Sequence, residues 1–278
     1  MTTVYPFNIH LGPLNLTGYG IMMMVGFLTG GWLIDRQLRA RGWHHDYAAD
    51  ITVAAVIGGV LGAKLWYVAA TGDLGSLFSR GGLVWYGGFL GGTLAVLANG
   101  ARLKVPLRWT LEISAAALPA AYALGRVGCF MVGDDYGRPS TLPWSVQFPQ
   151  GLPPTTAGAM AHDFAVPLQV GMAPDTLLAV QPTQLYEVVL MTAVFMLLWR
   201  LRGHRHAPGW LFGLYLALAG TERFLVEFVR AKEDMLPIGL TLAQAIALGL
   251  MALGGFLMAK WGTGADLAPG EYLGGSRK

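Results

Sequence analysis

The chain is poor in charged residues. They make up only 13% of its 278 residues, whereas hydrophobic residues account for 54%. Polar side chains are therefore too scarce to cover a water-soluble globule of this size, and the composition predicts a protein embedded in a lipid bilayer. The net charge of +3 is too small to indicate a nucleic-acid partner, so we expect none.

Cysteine is almost absent. Cys129 is the single cysteine, which excludes an intramolecular disulfide and a cysteine-rich structural metal site. We predict neither a metal nor another cofactor. Glycine, by contrast, is abundant, with 39 residues and no collagen-like repeat. That usage is typical of membrane helices that pack closely through small residues.

Apolar stretches long enough to cross a bilayer recur along the chain. A spanning helix needs about 20 mostly apolar residues. The sequence predicts about seven of them, over residues 17–35, 48–70, 83–100, 110–129, 183–199, 210–228 and 236–260. We therefore predict an all-α, polytopic membrane protein with a single transmembrane domain over residues 1–278. The first span has no preceding Lys or Arg and no small-residue cleavage site after it, so we expect a retained helix.

Basic residues concentrate in alternate connections between these spans. Twelve lie after spans one, three and five and in the C-terminal tail: Arg36, Arg39, Arg41, Arg102, Lys104, Arg108, Arg200, Arg202, Arg205, Lys260, Arg277 and Lys278. The opposite connections carry only Arg80, Arg138, Arg230 and Lys232. Basic loops stay in the cytoplasm, so the N-terminus is predicted outside and the C-terminus inside. The longest connection, residues 130–182, is then a small, mostly irregular periplasmic cap between spans four and five.

Polar residues inside the spans cluster at one depth. Ionisable residues in a bilayer are costly and mark functional sites by default. With the predicted orientation, six spans place such residues in the outer half of the membrane: Tyr19, Lys64, Tyr86, Arg126, Tyr186, Glu187, Arg223 and Glu227. The pattern predicts a polar chamber near the outer face. A permeation path would need polar residues in both halves, and the inner half shows few.

Structural roles compete with a site for several of these residues. Arg223 and Glu227 are spaced i,i+4, so an intrahelical ion pair explains them equally well. Lys64 can extend to the lipid headgroups. Glu112, near the inner start of span four, is expected to be stabilised by the helix dipole. Only Arg126 has no competing structural role, because no acidic residue lies three or four positions away to pair with it, so it requires an anion from elsewhere.

Several motifs occur together and in order. They are Gly18-Tyr19-Gly20, Gly87-Gly88 with Gly91-Gly92, Gly125-Arg126-Val127-Gly128 with Gly133 and Gly137, Pro182-Thr183-Gln184-Leu185-Tyr186-Glu187, and Arg223-Phe224-Leu225-Val226-Glu227-Phe228-Val229-Arg230. In these motifs and their spacing, the chain resembles the prolipoprotein diacylglyceryl transferases from residue 15 to residue 260.

The resemblance implies a reaction at the outer face of the bacterial inner membrane. A diacylglyceryl group moves from phosphatidylglycerol to the lipobox cysteine thiol of a preprolipoprotein signal peptide, and glycerol phosphate is released. Arg126 and Arg223 match the family's two important arginines, and a guanidinium suits a phosphate because it stays charged and donates in a planar fork. The expected catalytic residues are Arg126, Arg223, Tyr86 and Asp134. The expected substrate-binding residues are Tyr19, Lys64, Gly87, Gly88, Gly137, Gln184, Tyr186, Glu187 and Glu227.

The chain departs from the family pattern at several positions: Tyr86 and Gln181 replace histidines, Cys129 replaces an asparagine, and Ala219 replaces a tyrosine. Asp134 and Asp135 stand where members usually have a glutamate and then a non-acidic residue. Histidine is the natural base near neutral pH. Tyr86 can take that role only if neighbouring arginines favour its ionised form, and otherwise it donates a hydrogen bond to the phosphate or to the departing oxygen. Asp134 or Asp135 could instead be the base or orient an arginine.

Two other functions remain open at this point. One is a diverged relative that uses the phospholipid pocket for another acceptor, and the other is a non-catalytic lipid-binding or transport protein. A pocket that handled no leaving phosphate would have no evident need for two arginines at a costly depth, so Arg126 and Arg223 favour an enzyme. The inverted repeats typical of transporters are not seen in the sequence.

Overall fold

A computed structural model of the chain describes residues 2–12, 14–78, 83–167, 171–232, 235–237, 239–263 and 267–274. Arg80, Arg277 and Lys278, which contributed to the predicted orientation, lie outside these ranges. The helices are α1 (Gly18–Ala40), α2 (Tyr47–Thr71), α3 (Trp85–Arg102), α4 (Leu107–Ala115), α5 (Ala117–Val132), α6 (Ala157–Phe164), α7 (Thr183–Leu201), α8 (Trp210–Glu227), α9 (Leu242–Trp261) and α10 (Gly270–Gly274). A short 3₁₀ helix covers Leu74–Phe78, and the strands are β1 (Thr2–Thr3), β2 (Asn8–Leu11), β3 (Leu14–Thr17) and β4 (Val146–Gln147).

Each predicted span coincides with a helix. Among the described residues, α2, α7 and α9 are long and apolar enough to cross a membrane. The pair α4 and α5, which is bent by 49°, makes a fourth if it is one broken span. The remaining predicted spans correspond to α1, α3 and α8. The prediction of a mostly helical membrane protein is therefore confirmed, while the count of seven spans stays a prediction.

Helices α2 and α3 touch through their backbones. A Cβ atom added to Gly87 would collide with the carbonyl oxygen of Gly62, and one added to Gly91 with the carbonyl oxygen of Gly58. Gly88 lies close to α2 as well. Only glycine permits the approach at Gly87 and Gly91, whereas a Cβ atom on Gly88 would lie at an ordinary contact distance of 3.4 Å from the Gly59 carbonyl oxygen. The packing explains Gly87 and Gly91 without a bound substrate.

The segment between α5 and α7 has a small apolar core of its own. Tyr136, Val146, Phe148, Met160 and Val180 are buried together there. Strand β1 pairs in parallel with β4 and ties the N-terminus to this segment, while β2 and β3 form an antiparallel hairpin just before α1. Apart from α6 and β4, the residues of this segment that the structure describes are irregular, and they cover the ends of α5 and α7.

Helix α7 lies between two partners that carry the important arginines. It packs against α5 on one side and α8 on the other, and α8 in turn packs against α9. Helix α5 ends at Gly133, which adopts a left-handed conformation with φ of 71° and donates its N–H to the Cys129 carbonyl at 2.9 Å. This arrangement brings the first turn of α7 beside the last turns of α5 and α8.

Candidate active site

Glu187, in the first two turns of α7, is the centre of a buried ionic cluster. Its side chain is 1% exposed and lies against three arginines: it pairs closely with Arg126, and its Oε1 lies 3.3 Å from Arg230 and 3.9 Å from Arg223. The hydroxyl of Tyr122 donates to Oε2 at 2.9 Å. A carboxylate this deeply buried is stable only because guanidinium groups surround it.

We call this group the arginine cluster; its members are Arg126, Arg223, Arg230, Asp135, Glu187 and Glu227. The three guanidiniums come from α5, from α8 and from the turn after α8. The three carboxylates come from the turn after α5, from α7 and from α8. Three permanent positive charges and three carboxylates thus meet at one end of the helix bundle.

Arg126 is held on every side. Its Nη1 donates to Asp135 Oδ2 at 2.8 Å, and its Nε and Nη2 donate to the Tyr122 hydroxyl at 3.1 and 2.9 Å. From the sequence, we expected Arg126 to pair with an anion outside its own helix. Asp135 and Glu187 supply it, from outside the helix that carries Arg126.

Arg223 keeps a donor free for a ligand. It forms the i,i+4 ion pair with Glu227 at 2.7 Å, and Glu227 lies 3.8 Å from Arg230. The intrahelical pair is therefore real, and it is also part of the cluster. Arg223 Nη1 has no hydrogen-bond partner among the described residues, although the atom is buried. A guanidinium N–H left unpaired next to a charged cluster is suited to bind an incoming anion.

The turn after α5 is shaped by close backbone contact. A Cβ atom on Gly137 would lie 2.6 Å from the Val229 carbonyl oxygen, and Gly137 forms an isolated bridge with Arg230. Its N–H donates to the Gln181 carbonyl at 2.8 Å. Glycine at this position thus lets the turns after α5 and α8 meet, which places the Arg230 guanidinium against Asp135.

The two aspartates of this turn have opposite electrostatic environments. Burial alone would raise the pKa of Asp135, but the guanidiniums of Arg230 and Arg126 overcome it and hold that pKa well below its usual range. For Asp134, burial and the negative charge of Asp135 raise the pKa to about 6. Asp134 Oδ1 is buried without a hydrogen-bond partner among the described residues. Asp135 therefore stays ionised, whereas Asp134 can exchange a proton near neutral pH.

Other predicted site residues lie around the cluster. Gln184 donates from Nε2 to the Asp134 backbone carbonyl at 2.5 Å and so fixes the turn that carries Asp134. The hydroxyl of Tyr186 accepts a hydrogen bond from Trp144 Nε1 at 2.7 Å, which connects α7 to the segment that covers it. Tyr19 begins α1 beside α5, where a Cβ atom on Gly128 would lie 3.1 Å from its Cα.

Two predicted residues are set apart from the cluster. Tyr86 lies on α3 and is 52% exposed, and the ion pairs and hydrogen bonds described for the cluster do not include it. Lys64 does not extend toward the lipid headgroups, which was the structural role considered for it from the sequence. It is buried on α2, and its Nζ donates to the Ser76 carbonyl at 3.0 Å.

Sequence reasoning missed three residues of this site. Arg230 follows the predicted span six and was counted as a loop residue, and Tyr122 was taken as part of an apolar span. Glu222 is 4% exposed and directly precedes Arg223, and neither carboxyl oxygen has a hydrogen-bond partner among the described residues. An acidic residue inside an apolar span was a signal for Glu222, whereas nothing in the sequence distinguishes Tyr122.

One group of side chains has the composition of a metal site. Cys129 Sγ and carboxylate oxygens of Asp134 and Asp135 lie within 4.8 Å of one another. Both oxygens of Asp135 already bind guanidiniums, of Arg126 and Arg230. Cys129 Sγ also accepts a hydrogen bond from Arg126 Nη1 at 3.6 Å. A metal ion would therefore find only Asp134 without displacing an arginine, so the group is poorly suited to coordination.

Comparison with known proteins identifies relatives along nearly the whole chain. The family model for prolipoprotein diacylglyceryl transferase matches residues 6–260. A protein of Nitratidesulfovibrio vulgaris named phosphatidylglycerol–prolipoprotein diacylglyceryl transferase is 31% identical over 271 residues, covering 92% of this chain and 93% of the relative. A protein of the same name from Burkholderia mallei is 33% identical over 281 residues, covering 92% of this chain and 94% of the relative. The chain therefore belongs to the prolipoprotein diacylglyceryl transferase family.

Proposed function

We propose that this protein transfers the diacylglyceryl group of phosphatidylglycerol to the lipobox cysteine thiol of preprolipoproteins and releases glycerol phosphate. The names of the relatives point to these substrates. The observation in the molecule that carries the proposal is the arginine cluster, in which Arg223 Nη1 has no hydrogen-bond partner among the residues that the structure describes. The reaction is expected to take place at the cluster, with phosphatidylglycerol entering from the bilayer.

The arginines hold and stabilise the phosphate as it leaves. Arg223 meets it directly through Nη1, and Arg126 is oriented beside it by Glu187 and Asp135. Charge on the phosphate oxygens increases as the carbon–oxygen bond breaks, so fixed guanidiniums in a dry site stabilise the transition state more than the ground state. Arg230 acts through Asp135 and Glu187 and is a positioning residue.

Asp134 is the base of the proposed mechanism. The lipobox sulfur forms a bond to the diacylglyceryl carbon, and the electron pair of the broken carbon–oxygen bond leaves with the phosphate oxygen. The thiol proton passes to the Asp134 carboxylate and from there to the leaving phosphate. A carboxyl group with a pKa of about 6 is suited to both transfers near neutral pH. Tyr86, half exposed on α3, is not needed as a base.

We further propose seven spans, with the N-terminus outside, the C-terminus inside, and the protein in the bacterial inner membrane. The distribution of basic residues supports this orientation. It places the arginine cluster near the outer face, where signal peptides emerge after translocation. Residues 130–182 then form a periplasmic cap over the cluster. Tyr19, Gln184 and Tyr186 border the space beneath the cap and are expected to contact the substrates.

Transfer of a labelled diacylglyceryl group tests the proposal. The purified full chain is mixed with vesicles containing labelled phosphatidylglycerol and a lipobox peptide, and the thioether product is measured. We expect transfer by the wild type and its loss in Arg223→Ala. Arg200→Ala is the matched control. It also removes one arginine, but from the Leu201 end of α7, far from the arginine cluster, so it should retain transfer.

The same experiment separates the two other functions. Consumption of phosphatidylglycerol without labelling of the peptide would indicate another acceptor. Binding of phosphatidylglycerol with no turnover would indicate a lipid-binding or transport protein and would contradict the proposal.

A further inference from the structure

A second polar cavity lies at the opposite end of the bundle from the arginine cluster. Its volume is about 230 Å³, and Arg41, Trp109, Glu112, Arg202, His204 and His206 line it. This is smaller than the roughly 300 to 1,000 Å³ of pockets for drug-sized ligands, so it suits a small polar group. Because it lies beside the connection between α7 and α8, we call it the α7–α8 loop cavity.

The carboxylate in this cavity is already fully used. Glu112 Oε1 lies 2.8 Å from His204 Nε2, and Oε2 accepts the backbone N–H groups of Gly209 at 2.7 Å and Leu211 at 3.3 Å. The Nδ1 atom of His204 accepts the N–H of His206 at 3.1 Å, so Nε2 carries the proton given to Glu112. Glu112 thus caps the start of α8 and is not a counter-ion for the arginines.

The two arginines of the cavity make only backbone hydrogen bonds. Arg41 donates to the Gln37 and Arg202 carbonyls, both at 3.3 Å, and Arg202 donates to the Trp199 carbonyl at 2.7 Å. These bonds cap the ends of α1 and α7 and leave most of the guanidinium donors unused. No carboxylate within the described part of the chain lies within 4.0 Å of either guanidinium. Because Arg41 and Arg202 outnumber Glu112 among the residues that line the cavity, the lining keeps one positive charge in excess.

We infer that the α7–α8 loop cavity binds a phosphate group, and that this phosphate belongs to the headgroup of an anionic phospholipid. A guanidinium fork donates to two phosphate oxygens at once, and the negative charge of the phosphate balances the positive charge that Glu112 leaves uncompensated in the cavity. The proposed site is separate from the substrate site and needs no catalytic step.

The surroundings of the cavity favour a lipid over free phosphate. A second cavity of about 520 Å³ shares Arg202 and Gly203 with it, and Trp199 and Arg200 of α7 complete its lining. On that helix, Met196 is 50% exposed and Leu197 43% exposed, as expected of a surface facing acyl chains. Tryptophan and basic side chains at the end of a membrane helix contact headgroups. A phospholipid can therefore place its phosphate in the cavity while its chains lie along α7.

This inference does not depend on the proposed function. The arginine cluster lies at the Thr183 end of α7 and the cavity at the Leu201 end, which a helix of 19 residues separates by about 27 Å. Substitutions in the cavity should therefore leave diacylglyceryl transfer intact. Substitutions in the arginine cluster that abolish transfer should leave lipid binding in the cavity intact.

Native mass spectrometry of the detergent-solubilised full chain tests the site. Phosphatidic acid is the probe, and phosphatidylcholine, a zwitterion without net charge, is the comparison. For Arg41→Gln with Arg202→Gln we expect the affinity for one phosphatidic acid molecule to fall by about tenfold or more, because charge-assisted hydrogen bonds are lost. Arg36→Gln with Arg102→Gln removes the same charge from the same end outside the cavity and should bind as the wild type does.

Two further variants and one competitor complete the test. Arg41→Lys with Arg202→Lys keeps the charge but loses the planar fork, so it should bind more weakly than the wild type and more tightly than the glutamine double variant. Should the glutamine double variant fail to fold, Arg202→Gln alone should still weaken binding several-fold. Circular dichroism checks that the glutamine variants are folded. If folded glutamine variants bind phosphatidic acid as tightly as the wild type does, the proposed site is wrong. Inorganic phosphate that binds as tightly as phosphatidic acid and displaces it would overturn the assignment to a lipid.

Discussion

Glu187 and Glu112 are both almost completely buried, but their partners differ. Glu187 lies against Arg126, Arg223 and Arg230. Glu112 binds one histidine and two backbone N–H groups at the start of α8. Two residues of the same type thus have different roles: Glu187 organises a charged site at one end of the bundle, and Glu112 caps a helix at the other. Burial of a carboxylate alone does not identify a site; the number of permanent charges around it does.

The sharpest way to break this comparison is to neutralise each glutamate in turn. Glu187→Gln leaves three guanidiniums without their shared anchor, so we expect transfer to fall about 1,000-fold and stability by about 3 to 5 kcal/mol. Glu112→Gln should cost only about 1 to 3 kcal/mol, through hydrogen bonds left unmade. Its transfer rate per folded molecule should stay within about twofold, since the two sites are distant.

Thermal unfolding and transfer are measured on the same preparations of both variants. A loss of transfer in Glu112→Gln as large as that in Glu187→Gln would mean that the two ends are coupled. The division into a catalytic end and a structural end would then be wrong.

A smaller effect, with a distinct pH dependence, is expected at Asp134. The carboxylate form accepts the thiol proton, and because the pKa of Asp134 is raised to about 6, this form predominates above that pH and is lost below it. Transfer should therefore rise as the pH increases through about 6. Asp134→Asn should lower the rate by about 100-fold or more and remove this rise.

The transfer rate is measured for the wild type and the variant over a series of pH values from below to above about 6. Asp163→Asn, which alters an aspartate in the segment over the cluster, is the matched control. A rise that persists unchanged in Asp134→Asn would assign the base to another group.

The smallest effect is expected at Tyr86. Its side chain is 52% exposed on α3, which packs against α2 through glycines. Because Asp134 is the base of the proposed mechanism, we expect Tyr86→Phe to keep a transfer rate within about twofold of the wild type. Steady-state rates with phosphatidylglycerol vesicles measure this. A large loss would return Tyr86 to the role of base that the family pattern suggests.

The helices were predictable from the sequence because a bilayer requires long apolar stretches. All seven predicted spans coincide with helices, and the family prediction is confirmed. Arg126 and Glu187 could be singled out because a charge at membrane depth has few structural explanations. Their pairing could not be predicted, since it depends on how α5 and α7 pack and on the turn that carries Asp135.

The residues missed or assigned another role share one physical reason. Arg230 lies in a turn, and only the contact between Gly137 and Val229 brings it into the cluster. Glycine and lysine can both contribute to a ligand site, but here each makes a contact within the protein. Gly87 packs against the backbone of α2, and Lys64 donates to the Ser76 carbonyl. Sequence spacing shows which residues are costly in a membrane, whereas the partners that reduce this cost are set by tertiary packing.

The most direct test of the account compares the arginines of the two ends in one transfer assay. Arg126→Ala and Arg41→Ala each remove one guanidinium, the first from the arginine cluster and the second from the α7–α8 loop cavity. We expect Arg126→Ala to insert into the membrane but to lose transfer of labelled diacylglyceryl to the lipobox peptide, and Arg41→Ala to retain it. Transfer by Arg126→Ala at the wild-type rate would contradict the central claim that the arginine cluster is the active site.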